Sequence, residues 1–89
     1  MLVKIKGISD SGVVFINDHL LNPQKSQAIR NHSPDGFSWG YAGSGPAQLA
    51  LAILLELYSE EYAMQHYQEF KNNVIAKLPQ EDFEIEIEI

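Results

Sequence analysis

The stretch GSGPAQLALAILLELY, residues 43–58, decides how this chain folds. Its glycines and Pro46 are typical of a helix start, because proline is tolerated at the first helical position. We therefore predict a helix over residues 46–58, with Gln48 reaching back as a capping partner. The segment is apolar on nearly every side, whereas a surface helix carries one apolar stripe. The helix is expected in the centre of the fold or at a subunit interface, and the second possibility predicts a homodimer.

Aromatic residues alternate with small ones just before this helix. Phe37, Trp39 and Tyr41 stand at a spacing of two, which places them on one face of an extended segment. We predict a strand over residues 37–41. At least two of the rings are expected in the core, with Trp39 as the exception.

Both ends of the chain alternate apolar and charged residues. Residues 1–16 are typical of a β-hairpin whose turn lies at Ser9–Gly12, and residues 83–89 alternate apolar side chains with glutamates. Lys4 and Lys6 on the first strand have the opposite charge to those glutamates. Because cross-strand pairs of opposite charge are favourable, we predict that strand 83–89 pairs with the first strand.

A second, amphipathic helix is predicted over residues 60–78, ending before Pro79. Residues 17–35 carry turn signals and no clear period, with a short strand considered at 26–30. Together these elements predict a single α+β domain over residues 1–89, in which an antiparallel sheet packs on two helices.

Composition excludes several classes of protein. With 45% hydrophobic residues in 89, the chain is typical of one globular domain, and it has no cysteine for disulfides or thiolate chemistry. No apolar run is long enough for a membrane span, and the N-terminus lacks the pattern of a signal peptide, so a cytoplasmic protein is expected. The net charge of −6, concentrated at the C-terminus, argues against direct nucleic-acid binding.

The glycine-rich turn is the best candidate site. Unpaired amides at Gly43, Ser44 and Gly45, together with the positive end of a helix, favour a phosphate or carboxylate. The turn is neither a P-loop nor a dinucleotide-binding motif. The alternative, that its glycines only permit a tight turn and close packing, stays equally open. The candidate ligand-binding residues are Trp39, Tyr41, Gly43, Ser44, Gly45, Arg30 and His32.

In this hypothesis the chain is not an enzyme and binds a nucleotide-like anion, with an aromatic ring stacking on the base and Arg30 adding a cation. No catalytic residue, metal site or cofactor is predicted, since residues 32–36 are typical of a local turn and the three histidines lack ligand spacing. The alternative function is an acidic protein-interaction module or inhibitor, which uses the C-terminal Glu-rich strand as a nucleic-acid mimic.

The string HSPDGFSWGYAGSGPAQLALAIL, residues 32–54, resembles a family of small uncharacterised proteins of bacteria, archaea and their phages. The resemblance implies a shared fold and no established activity. Because such proteins look like compact phage-borne modules, it also implies a viral protein that counters host defence by sequestering a nucleotide signal.

Overall fold

Four strands form one antiparallel sheet in the computed structural model, which describes residues 1–89. The strands are β1 (Leu2–Ile8), β2 (Val13–Ile16), β3 (His19–Leu20) and β4 (Phe83–Glu88). Their order is β3-β2-β1-β4, so the first strand lies in the interior of the sheet and the last strand forms an edge. The predicted α+β fold, the N-terminal hairpin and the pairing of the last strand with the first are confirmed.

The register between β1 and β4 places opposite charges across from each other. Lys4 lies opposite Glu86 and Lys6 opposite Glu84, as the charge pattern predicts. The ion pair of Lys4 forms elsewhere, however, because its Nζ lies 2.9 Å from Asp18 Oδ1. The apolar residues of β1 point to the other face, where Val3 and Ile5 are fully buried.

The helices cover this inner face. They are α1 (Gln24–Ile29), α2 (Ser44–Leu57) and α3 (Glu60–Asn73), followed by a 3₁₀ helix at Ile75–Lys77. No helix combines the length and the apolar content that crossing a membrane requires.

Several predicted helix boundaries need correction. Helix α2 starts at Ser44 with Gly43 as its N-cap, so the helix begins before Pro46. The prediction of helix to residue 78 is wrong, since α3 ends at Asn73. Val74 leaves the helical conformation with φ −124° and ψ −61°, and the chain tightens into the 3₁₀ helix. Asn72 and Asn73, which precede Val74, have low helix propensity and therefore favour the end of α3 at this point.

The short strand considered for residues 26–30 does not form, because residues 24–29 belong to α1 and Arg30 is its C-cap. Asn22 Oδ1 accepts a hydrogen bond from the Gln24 N–H at 2.9 Å, and it thereby satisfies one of the free donors at the helix start. The Ser26 hydroxyl donates to the Pro23 carbonyl at 2.8 Å and is fully buried. Local capping therefore outweighs the weak strand pattern.

Helix α2 lies at the centre of the fold. Every residue from Gly45 to Leu55 is buried within the single chain. The sheet, α1, α3 and the 3₁₀ helix cover it from different sides and share one apolar cluster with it. Its all-round apolar character is thus explained without a subunit interface, and the homodimer stays a prediction.

The predicted strand at 37–41 is wrong, because this segment is a loop outside the sheet. Gly36 and Gly40 have positive φ values of 110° and 87°, which interrupt an extended path. The backbone N–H of Gly40 donates to Ile75 O at 3.0 Å instead of to a neighbouring strand. The expected exception is also wrong: Trp39 is buried at 5% exposure, and Tyr41 is the exposed ring at 46%.

Candidate functional site

The start of α2 has three backbone donors without an acceptor in the protein. The first helical bond runs from Ala47 N–H to Gly43 O, and no hydrogen bond uses the N–H groups of residues 43–45. Pro46 has no N–H to offer. Gly43 supplies no side-chain cap, and the first turn contains no acidic residue. The positive end of this buried helix is therefore not compensated by the chain itself.

Helix α3 starts differently. The Ser59 hydroxyl accepts a hydrogen bond from the Tyr62 N–H at 3.1 Å, and Glu60 and Glu61 occupy the first turn. This start is both capped and charge-compensated. The free donors of α2 are thus a local feature of the glycine-rich turn.

Two side chains of the preceding loop lie against the start of α2. The Tyr41 ring covers Gly43, where a Cβ atom would collide with the ring, and Ser38 packs on Gly45 in the same way. The hydroxyls of Tyr41 and Ser38 lie 2.8 Å apart. The glycines therefore permit close packing, as the structural alternative predicts, and this packing also places an exposed ring beside the free amides.

A shallow cavity of about 130 Å³ adjoins this cluster, lined by Ser9, Ser38, Trp39, Tyr41 and Gln80. Trp39 forms its buried wall. The indole Nε1–H donates to Glu81 O at 2.9 Å, and the ring meets Phe83 edge-on with centroids 4.9 Å apart. The polar group of Trp39 is thus already bonded, which leaves Tyr41 as the exposed aromatic ring at this site.

Gln48 holds the loop before α2 in place. Its side chain is fully buried. Its Oε1 accepts hydrogen bonds from the N–H groups of His32 at 2.7 Å and Ser33 at 3.0 Å. Its Nε2 donates to Ser26 Oγ at 2.8 Å and to Arg30 O at 3.1 Å. The predicted capping role is therefore wrong, because the amide is fully used by the loop and α1.

A lone glutamine in an otherwise apolar helix was the sequence signal for this role. A buried amide must find partners for its two donors and its acceptor oxygen, and the backbone groups of a helix interior are already paired with one another. The partners therefore come from the neighbouring segment.

His32 and Arg30 form no hydrogen bond with residues 41–45 at the start of α2. His32 Nε2 is 2.8 Å from the Tyr67 hydroxyl, on α3. Burial lowers the pKa of His32, and the charges of Arg30 and Lys71 lower it further. His32 is consequently neutral at pH 7 and supplies no positive charge. The side chain of Arg30 forms no salt bridge, and no hydrogen bond links either residue to residues 41–45.

A larger groove lies between α3 and the end of β4, with a volume of about 370 Å³. Tyr62, His66 and Phe70 line it from α3, and Ile87 and Ile89 from the other side. The ring of Tyr62 stacks on His66 with centroids 4.2 Å apart. The four-residue spacing of these aromatic side chains was visible in the sequence, but it did not reveal what faces them.

The glutamates of β4 are exposed on the open face of the sheet. Glu88 pairs with the N-terminal ammonium group, whereas Glu84 and Glu86 form no salt bridge. Of the two cations on the facing strand, Lys4 is bound to Asp18, whereas Lys6, opposite Glu84, forms no salt bridge. Two carboxylates therefore remain without an ion-pair partner on this face.

A family model, described as a family of unknown function (DUF6166), matches residues 6–88. The matched range includes all the helices, the loop over the start of α2 and every residue that lines the groove beside β4 except Ile89. No curated protein and no solved structure matches the chain. The chemistry must therefore be argued from its own residues.

Proposed function

The chain belongs to the DUF6166 family, a family of unknown function, and we propose that it binds a nucleotide-like anion at the start of α2 without catalysis. The observation that carries the proposal is that the N–H groups of the exposed Ser44 and of the buried Gly45, on which Ser38 packs, have no acceptor in the chain. A phosphate oxygen is an acceptor that suits two adjacent N–H groups, and the positive end of the 14-residue helix favours its charge.

Tyr41 supports the base of such a ligand. Its ring is half exposed beside the free amides, and stacking of a base on an aromatic ring contributes about 1–3 kcal/mol. The adjoining cavity of about 130 Å³ is small, because pockets that enclose a ligand hold about 300–1,000 Å³. The ligand therefore lies on the surface, with its base on Tyr41 and its phosphate at Ser44.

The proposed site is narrower than the predicted one. It retains Tyr41 and residues 43–45, adds the Ser38 hydroxyl that is bonded to the Tyr41 hydroxyl, and leaves Trp39 as the wall behind them. His32 is not part of it, because its ring is bonded to Tyr67 of α3, and Arg30 is left out because no hydrogen bond or salt bridge joins its side chain to residues 41–45. Sequestration of a host signal by a phage protein stays a prediction.

The experiment follows the amide resonances of Ser44 and Gly45 by ¹⁵N NMR during titration with AMP, ADP, cyclic AMP and a cyclic dinucleotide. Adenosine serves as the uncharged control. We expect shifts at these amides with the phosphorylated ligands and none with adenosine. Unchanged amides with all four nucleotides would contradict the proposal.

Ser44→Asp provides the matched variant. An acid in the first turn favours the helix but repels an anion, so binding should fall by about tenfold or more while the melting temperature is kept or raised. Ser44→Ala keeps the amides and should bind as the wild type does. Equal affinity of Ser44→Asp and Ser44→Ala would refute a site at the helix start.

We infer a second candidate function, an acidic protein-interaction module, from the two unpaired carboxylates on the open sheet face. Neither Glu84 nor Glu86 forms a salt bridge with Lys4 or Lys6 of the facing strand, so both can attract a basic partner. The test is the binding of a fluorescent hexalysine peptide, followed by anisotropy. Charge reversal of both glutamates to lysine should abolish it. The same reversal at Asp10 and Asp35, two exposed acids elsewhere, should leave more peptide binding than the reversal at Glu84 and Glu86.

A further inference from the structure

The backbone of β4 has a free edge. Met1 and Ile89 exchange two hydrogen bonds, at 2.8 and 3.2 Å, so this pair is a hydrogen-bonded pair of the antiparallel ladder. Because such pairs alternate, the N–H and C=O groups of the odd-numbered residues of β4 face β1. The backbone groups of Glu84 and Glu86 point away from the sheet and have no partner strand.

The backbone directions on β1 support this assignment of the outward-facing groups of β4. Lys4, which lies opposite Glu86, uses its N–H and C=O on the β2 side: it donates to Asn17 Oδ1 at 3.0 Å and accepts from Asn17 N–H at 2.8 Å. Its backbone groups thus point away from β4. By the same alternation, those of Glu86 point away from β1.

The two faces beside this edge differ in chemistry. On the helix side lies the groove of about 370 Å³, whose walls are mainly aromatic and aliphatic. On the open side lie the unpaired carboxylates of Glu84 and Glu86. Side chains of a strand alternate between the two faces of a sheet, so an added strand would send every second side chain into the groove and the others beside the glutamates.

We propose that β4 accepts an extended segment of a partner protein as a fifth strand, and that this segment alternates apolar with basic residues. Main-chain hydrogen bonds to Glu84 and Glu86 provide affinity, and the groove and the carboxylates select the side chains. The proposal deepens the second candidate function and rests on it. It is independent of the anion site at α2.

The chain itself contains an example of the required pattern. On its opposite edge, β4 pairs with β1, in which Val3 and Ile5 point inward while Lys4 and Lys6 face the glutamates. A second copy of β4 is a poor occupant, because pairing two Glu-rich edges sets like charges across from each other. The complementary segment is therefore cationic.

The experiment measures the anisotropy of two labelled peptides, TVKVKVT and TVEVEVT, on titration with the full chain. We expect binding of the lysine peptide, and at least about tenfold weaker binding of the glutamate peptide. Glu86→Pro removes the outward N–H while leaving the ladder to β1 intact, and proline is tolerated on an edge strand. Glu86→Ala is the matched control, because it removes the same carboxylate but keeps the N–H.

The lysine peptide should bind Glu86→Pro about tenfold or more weakly than Glu86→Ala. Equal binding by these two variants would overturn strand addition. If charge reversal of Glu84 and Glu86 still abolished binding in that case, the acidic protein-interaction module would remain supported. If neither peptide binds the wild type, both ideas fail. A wild-type dimer that Glu86→Pro converts to a monomer would assign the edge to a second copy and overturn the proposal.

A measurement on the wild type does not depend on how the proline variant folds. The amide of Glu86 should exchange with solvent quickly in the free chain and become protected when the lysine peptide binds. The amide of Ile85, already bonded to β1, serves as the internal reference. Peptide binding without protection of Glu86 would refute a main-chain ladder.

Discussion

Replacing Gln48 with leucine is expected to destabilise the domain through its loop. Leucine has a similar size and no polar atoms, so it leaves the apolar surroundings of α2 filled. It removes all four hydrogen bonds of the buried amide, which reach across to Ser26, Arg30, His32 and Ser33. The change therefore tests polar anchoring separately from packing.

The magnitude follows from those four bonds. A hydrogen bond contributes about 0.5–1.5 kcal/mol net, which gives about 2–6 kcal/mol in total. Ser26 is fully buried and its hydroxyl still donates to Pro23, whereas the loop amides can partly recover bonds to water. We expect a loss near 2–4 kcal/mol. A chain of this length has a total stability of only about 4–13 kcal/mol.

The assay is urea unfolding followed by far-UV circular dichroism. Gln48→Leu should move the midpoint to lower urea by about 1–2 M, given a slope of about 2 kcal/mol per M. Gln68→Leu, at an exposed glutamine of α3, is the control and should leave the midpoint nearly unchanged. A Gln48→Leu protein within about 0.5 kcal/mol of the wild type would refute the anchoring role.

Three further outcomes are expected. Burial and two nearby cations lower the pKa of His32 from 6.5, so stability linked to its neutral form is complete above pH 6.5 and is lost as the pH falls through the lower folded-state value. Between about pH 7.5 and 5 the wild type should lose more unfolding free energy than His32→Gln, and equal losses would contradict this. Gly45→Ala should lower the melting temperature, because its Cβ collides with Ser38, and adding Ser38→Gly should restore most of it; no rescue would refute the contact. Ser59→Ala should cost about 1 kcal/mol in thermal unfolding as a lost cap, whereas Ser44→Ala should cost nearly nothing; equal costs would contradict the assignment.

Strands of the sheet were predictable where apolar and charged residues alternate along the segment, and their pairing was predictable where the two strands carry opposite charges. Alternation identified β1 and β4, and the lysine and glutamate positions identified their pairing. The aromatic segment 37–41 satisfied the same spacing but does not form a strand. Its conformation is decided by the bond from the Trp39 indole to Glu81 O and by the packing of Gly40, where a Cβ would lie 2.9 Å from Leu78 O. Such contacts join segments far apart in sequence.

The start of α2 was predictable because glycine, serine and proline punctuate the chain there. The sequence could not reveal that Tyr41 would cover this start, nor that the His32 ring would bond to Tyr67 of α3, since both depend on how the loop folds back. The groove was missed for a related reason. Phe70 and Ile87 face each other only because β4 returns to pair with β1 and passes α3 on the way.

The interior position of β1 has a consequence for synthesis on the ribosome. β1 is the first element of the sheet to emerge, and its partner β4 is the last. The hairpin of β1 and β2 can form early, but one edge of β1 stays open until translation has passed Glu88. Lys4 and Lys6 stand on that strand throughout, and lysines on an open edge discourage association between nascent chains. The domain is therefore expected to complete its sheet late, because contacts so distant in sequence close last.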